Sequence, residues 1–511
     1  MASNSEILVQ HSFKASPSEG ERTVELLAAA APRCTLLRGT SQYEKARKGF
    51  WAADQAACSP FCIYQPTNAQ EVSECVKILR KTGCPFAIKS GGHGRCEGES
   101  SISRGVLIDL KRLNRIELSD NKKICHVGPG NEWASVYSLL NPQGLTVIGG
   151  RASTVGVGGF VISGGISFFS NRHGWGLDNV SSFEVVLGNG DIVQADQTQH
   201  ADLYKALRGG GANFGIVTSL ALDVHPYKGM WGGDIKYELE HGDELVDAFL
   251  EYGRDNVRNV DASVILAFVN YKGHWVWHCD IEHLDSSAPS KQSILQKFLD
   301  IPSVSNCGPA TLIERTDSMS THYPNGVCNG YWSFCTKVDK RLIKVFMDTW
   351  REEVDQILDV GGLDNALANI NIVTQNIIDA MSRKGGNALG LAGEEPLLLY
   401  LLEPLWTDRA QSHRVWKALR VTAEKTQAEA DRLGLYHSYI YLNYANPYQD
   451  VYTGYGVEAK EFLLGTSRKY DPEGTFQHQR GAGWHLQGTL ISTTGIDPAD
   501  GVVVKGKGQK L

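Results

Sequence analysis

One histidine of this chain sits inside a glycine turn, Lys89-Ser90-Gly91-Gly92-His93-Gly94, directly after the apolar run Cys84-Pro85-Phe86-Ala87-Ile88. Glycine tolerates positive φ and lets backbone N–H groups come close to an anion. A strand that ends in such a turn suits a pyrophosphate, with the imidazole beside whatever carries it. That combination points to a nucleotide cofactor rather than a metal. Taken alone, Gly-Gly-His is more often a surface turn, so the rest of the chain has to decide.

Two more glycine clusters follow. The first is Gly149-Gly150-Arg151-Ala152-Ser153-Thr154-Val155-Gly156-Val157-Gly158-Gly159, continuing to Ser163-Gly164-Gly165; the second is Arg208-Gly209-Gly210-Gly211-Ala212-Asn213-Phe214-Gly215-Ile216-Val217-Thr218. Neither is a dinucleotide Rossmann fingerprint, because Val161 and Phe214 stand where the third glycine of G-x-G-x-x-G belongs. An NAD site is therefore disfavoured. Three clusters, each beside a strand, instead imply repeated close approach of backbone to one large ligand.

Groups able to move a proton lie further on. Tyr439-Ile440-Tyr441-Leu442-Asn443-Tyr444 reads as a strand with polar tips on both faces, which an ordinary core strand does not need, so it is expected to line a cavity. Asn369, Asn371, Val373 and Gln375 share one face of another expected strand and could present amides to a substrate. Glu403 follows the apolar run Leu397 to Leu402. An acid at a strand end is more often solvated than catalytic, so Gln375 and Glu403 rank below the tyrosines.

The elements that must position these groups fall into blocks. Residues 1–57 read as a mostly helical leader with no recognisable chemistry. From Phe61 to Pro226, short apolar runs (Phe86 to Ile88, Val106 to Leu110, Ile124 to Val127, Val185 to Leu187, Ile216 to Val224) alternate with helical patterns. In one of these, Asn68 to Thr82, Val72, Cys75, Val76 and Leu79 recur at helical spacing. Residues 229–436 form a second unit. Its expected strands are Ser263 to Asn270, His274 to Ile281 and Leu397 to Leu402, and Arg341 to Leu358 and Asp408 to Leu433 are expected helices. In His274 to Ile281, Trp275, Trp277, Cys279 and Ile281 alternate with His274, Val276, His278 and Asp280. Residues 437–490 form a third block and 491–511 a tail. The class is α+β.

Composition bounds the partners. A chain of 511 residues divides into two or three domains. Its formal charge of −7, with no lysine and arginine cluster, offers nothing to a nucleic acid. No run reaches transmembrane length and no signal peptide opens the chain, so a cytoplasmic protein is expected, with no membrane partner. The 11 cysteines show no zinc-type pairing, and mostly free thiols are expected, Cys58 and Cys62 included. Gln509-Lys510-Leu511 departs from the peroxisomal Ser-Lys-Leu signal at its first residue. Oligomeric state is not legible.

In this order, the motifs from Phe61 to Pro226 and from Tyr441 to Phe476 resemble the flavin oxidoreductases of the vanillyl-alcohol oxidase superfamily, in the berberine-bridge-enzyme-like branch. The resemblance implies a two-part PCMH-type FAD-binding domain over 58–228 and a substrate domain with an antiparallel sheet covered by helices. It also implies that 437–490 is a segment returning to the FAD domain. In that family the turn resembling Lys89 to Gly94 (Lys89, Ser90, Gly91, Gly92, His93, Gly94) carries a histidine bonded to the 8α-methyl of FAD, which implies His93 as the attachment residue, with Ile88 just before the turn among the cofactor-binding residues. The stretches resembling Gly150, Thr154, Val155, Gly158, Gly159 and Gly165, and Asn213, Gly215, Ile216 and Val217, wrap the rest of the cofactor, with Tyr441 and Asn443 at its front.

Doubly linked members carry a cysteine where this chain has Ala152, which implies one covalent bond. Val155 resembles the family's oxygen gatekeeper, and a residue no larger than valine there implies O₂ as electron acceptor. The pair Asn443-Tyr444 resembles the family's front-face pair, making Tyr444 the leading base, although a phenol needs a neighbouring cation or hydrogen-bond donors to accept a proton near neutral pH. The implied function is oxidation of a small-molecule, specialised-metabolite carbon by hydride transfer to flavin N5. A redox-neutral cyclase or isomerase and a non-catalytic binding protein are the alternatives. Trp275, Trp277 and the tyrosines near Tyr441 suit a stacked sugar as well as a flat natural product.

Overall fold

The computed structural model describes residues 16–95, 98–254 and 259–490. Cys96 and the tail 491–511, with Gln509-Lys510-Leu511, lie outside the described residues.

Three sheets organise the chain. The first runs Thr35–Leu37, Cys62–Tyr64, Val106–Asp109, Phe86–Lys89, with its last three strands mutually parallel. The helix Ala69–Thr82 packs on it through Val72, Cys75, Val76 and Leu79, all fully buried. Asn68 caps that helix by accepting from the Glu71 N–H, and Gly83 at φ +70° ends it. The segment expected to be a helical leader is not wholly helical: Thr35–Leu37 is an edge strand of this sheet. The second sheet, Ile116–Leu118, Ile124–Val127, Ile216–Asp223, Val180–Val186, Ile192–Asp196, is antiparallel throughout.

The third and widest sheet is antiparallel, and its central order is Met230–Tyr237, His274–His283, Ala262–Tyr271, Asn365–Val373, Leu397–Leu402, Trp332–Lys337. Its period-two alternation splits it into two faces. Phe268, Trp275, Trp277, Ile370 and Tyr400 form a core with the helices Gly242–Arg254, Lys340–Asp355 and Ser412–Arg432. The other face looks toward the glycine loops. The architecture is thus the expected mixture: two sheets carrying the glycine clusters, and an antiparallel sheet covered by helices. The ten described cysteines are free thiols. No helix among the described residues is long and apolar enough to cross a membrane.

One expected strand is absent. Tyr439 to Tyr444 pairs in no sheet; it runs extended and then turns as a 3₁₀ helix over Leu442–Tyr444. Its polar groups bond outward instead: the Tyr441 hydroxyl accepts from the Gly165 and Ile166 N–H groups, and Asn443 Nδ2 donates to the Phe160 carbonyl. Those tertiary bonds replace a strand ladder.

Candidate active site

Between the glycine loops and the inner face of the wide sheet lies a cavity of about 360 Å³. Its roof is backbone. A Cβ on Gly91 would meet the Cα of Gly156, so the turn after Phe86–Lys89 and the loop before the helix Val157–Ile162 touch main chain to main chain. Ser90 pins the contact, its hydroxyl donating to the Pro129 carbonyl and accepting from the Gly158 N–H.

His93 hangs from this roof. Its Nε2 lies 3.2 Å from Thr154 Oγ1, and its ring stacks on Trp51 at 4.9 Å between centroids and 18° between planes. Burial, reinforced by the Arg95 charge, brings its pKa down to about 4. The imidazole is therefore neutral near pH 7 and keeps a nucleophilic nitrogen.

The floor is made of side chains. Glu403 is 2% exposed at the end of Leu397–Leu402, where its Oε1 accepts from Tyr323 (2.8 Å) and from Asn369 Nδ2. Burial raises its carboxyl to about 7, against the opposing pull of Tyr323, Tyr331, Arg151 and Arg95. Tyr444 faces the same space, and Arg151 donates to its phenol oxygen at 2.7 Å and to Asn371 Oδ1 at 2.9 Å. Arg95 lies 4.1 Å above the Tyr331 ring and donates to the Asn443 and Ala445 carbonyls.

The chain is similar to known proteins. A model described as an FAD binding domain matches residues 60–196. The FAD-dependent monooxygenase tpcD of Cochliobolus heterostrophus is 32% identical, over 84% of this chain and 85% of the relative. The chain belongs to this family of FAD-linked oxidoreductases. The fold agrees. Physcomitrella patens BBE-like 1 superposes with a TM-score of 0.72 at 18% identity, covering 90% of this chain and 98% of that one. Glucooligosaccharide oxidase from Acremonium strictum, in a structure concerned with the functional roles of its 6-S-cysteinyl, 8α-N1-histidyl FAD, gives 0.72 at 18% identity over 92% and 99%.

The residues of this oxidoreductase fit FAD. Close-packed glycine loops leave backbone at the surface of the cavity, and Arg480, which lines it and donates through Nη2 to Asn213 Oδ1 and the Trp484 carbonyl, has a buried Nε with no partner among the described residues. Burial lowers the Arg480 pKa only to about 10, so it stays a cation with a donor left over for a diphosphate. Ile88, Ser90, Gly91, Gly92, His93, Gly94, Gly150, Thr154, Val155, Gly158, Gly159, Gly215, Ile216, Val217, Tyr441, Asn443, Tyr444 and Glu403 all line this one cavity.

Four expected site residues do not line it. Strand alternation turns Lys89 away, so that its Nζ donates to the Gly49 carbonyl at 2.6 Å and sits over Phe50. Gly165, at φ +101°, gives its N–H to Tyr441. Asn213 is fully buried and clamps Gly210 and Tyr452, holding the third glycine cluster in shape. Gln375 is not on a strand: Asn365–Val373 ends two residues earlier and Gln375 opens the helix Gln375–Ala380, bonding Asp379. Trp275 and Trp277 face the helix-covered core, so they provide no stacking platform for a substrate.

Other wall residues carried no local signal. Trp51 comes from the presumed leader, and Tyr323 and Tyr331 from loops. Arg151 lies inside a glycine cluster read only for its backbone. The alternation of His274 to Ile281 did put His278 and Asp280 on one face, the one that lines the cavity.

Proposed function

We propose that this FAD-dependent oxidoreductase oxidises an alcohol carbon of a small molecule, with FAD held by a single covalent bond at His93 and O₂ as the final electron acceptor. Bound FAD would supply the hydride acceptor for the substrate carbon and the route by which the electron pair reaches O₂ as hydrogen peroxide. The chain supplies the rest. A neutral His93, fixed through Nε2 by Thr154 and stacked on Trp51, presents its other ring nitrogen for attachment. Ala152 on the cavity wall offers no sulfur for a second bond. Val155 lies on the same wall, and we assign it the approach of O₂.

Glu403 carries the reading. A carboxyl tuned to about 7 inside a cavity is matched to accept a hydroxyl proton near neutral pH. Tyr323 and Asn369 hold one of its oxygens in place. Arg151 can only donate, so the Tyr444 oxygen accepts from it and the phenol proton is left to bind and orient the substrate oxygen. Glu403 thus moves ahead of Tyr444 as proton acceptor.

Curated relatives bear the name monooxygenase, which favours oxygen insertion as a second reading. The test is product stoichiometry under ¹⁸O₂: the oxidase gives one peroxide per carbonyl formed and no label in the product, whereas label in the product defeats it. Turnover with neither peroxide nor flavin bleaching would favour a redox-neutral cyclase or isomerase.

A further inference from the structure

The inner face of the wide sheet carries a polarity pattern that proton transfer at Glu403 does not require. In register, His278 lies opposite Ala267, which lies opposite Asn369. Ile265 and Val269 flank Ala267 on the same face, and Leu367 pairs with Val269. Asn369 bonds Glu403, so this row ends at the proton acceptor. An aliphatic strip two interstrand spacings wide, about 10 Å, therefore separates the His278 strand from the Asn369 strand.

His278 is 7% exposed, lines the cavity and has neither ring nitrogen in a hydrogen bond among the described residues; the nearest acid oxygens, on Asp234 and Asp280, are 3.7 and 3.8 Å away. Burial holds it neutral, down at about 4, leaving one donor and one acceptor unused. The acids behind it have a cation of their own: Arg315 donates to Glu282 at 2.7 Å and to Asp280 at 3.4 Å. Burial and the neighbouring Asp234 push the Asp280 carboxyl well up, toward its protonated form. Against its burial, Asp234 is held down to about 2 by Asp280, Asn306 and Arg315 and keeps its charge with the Arg315 cation beside it, so His278 and Asp280 are left to offer this end of the cavity hydrogen bonds, and a buried polar group left unpaired is costly. A hydroxyl, both donor and acceptor, satisfies it. A carboxylate or an ammonium does not.

We infer that the substrate is a neutral, mainly aliphatic alcohol bearing a second hydroxyl about 10 Å from the carbon that is oxidised, with His278 and Asp280 holding the distal hydroxyl. The inference rests on the oxidase reading and narrows its substrate class. A sugar fits poorly, because the strip between the two polar ends is aliphatic and the tryptophans face away.

The experiment uses the flavin-loaded protein and three probes: terminal diols of graded chain length, the mono-alcohol of each length, and cellobiose. Binding is read from perturbation of the flavin absorption spectrum and turnover from peroxide. At the matching length the diol is expected to bind at least tenfold tighter than its mono-alcohol. His278→Leu should erase that ratio, and Asp280→Asn should reduce it. The wild-type diol and mono-alcohol comparison stands even if a variant fails to fold. Equal binding of the pair, tighter binding of cellobiose, an unchanged ratio in His278→Leu, or no perturbation by any chain length would overturn the inference. Tight, length-dependent diol binding without flavin bleaching or peroxide would leave this site intact and defeat the oxidase reading instead.

Discussion

The roof and the floor of the cavity are built on opposite principles. The roof is main chain: glycine loops touch at Gly91 and Gly156, and side chains there would only interfere. The floor is side chain: Asn369 on a strand, Glu403 just past another, Tyr444 on a 3₁₀ turn, and Tyr323 and Arg151 on loops, spread between positions 151 and 444. A roof of this kind recognises what every member of the family binds. A floor of this kind can be rewritten residue by residue without disturbing the fold, which is how one scaffold serves many substrates.

The contrast is broken most severely at the roof. Gly156→Leu drives a side chain into the Gly91 backbone, and the purified protein is expected to lack flavin absorbance altogether. Leu401→Ala, on the floor, should keep its flavin. If both variants hold FAD equally, the roof is not backbone-determined.

Removing the proton acceptor comes next. Glu403→Gln should lower kcat by roughly 10²–10⁴. Because burial raises this carboxyl to about 7 and the active form is the carboxylate, wild-type kcat/KM should climb with pH and level off above about 7. The variant should show no such limb. An unchanged profile would move the role to Tyr444.

Arg151→Met is expected to cost roughly 10–100-fold in kcat, the size of one charge-assisted hydrogen bond to Tyr444. A drop confined to KM would reduce Arg151 to a binding group.

The smallest effect is on stability. A carboxyl whose pKa rises on folding, from an unfolded value of about 4.3 to about 7, loses folding free energy as pH climbs between those values. Glu403→Gln should therefore raise Tm above wild type at pH 8 and leave it unchanged at pH 4, at roughly 2–4 °C per kcal/mol. A Tm gain of equal size at both pH values would argue against a raised Glu403.

The same division explains what was legible in the sequence. Roof residues announce themselves, since a turn that must take positive φ or meet another backbone needs glycine, and glycines cluster visibly at 91–94, 149–165 and 209–215. Even there, alternation turned Lys89 outward and packing drew Asn213 into the scaffold. The floor gave little local signal. Glu403 looked like a solvated strand end because burial is a tertiary property, and Gln375 looked like a cavity amide because the end of its strand was placed two residues late. The tyrosine run imitated a strand because its hydroxyls and amides find partners on distant loops. Trp51 lay in a stretch with no motif, yet its ring covers His93.

The most direct measurement is the intact mass of the denatured protein, taken before and after His93→Ala. One FAD retained by the wild-type chain under denaturing conditions, and none by the variant, is the expected result. A wild-type chain that sheds all its FAD on denaturation, or a His93→Ala variant that keeps it, would contradict attachment at His93 and with it the placement of the reacting groups beneath that roof.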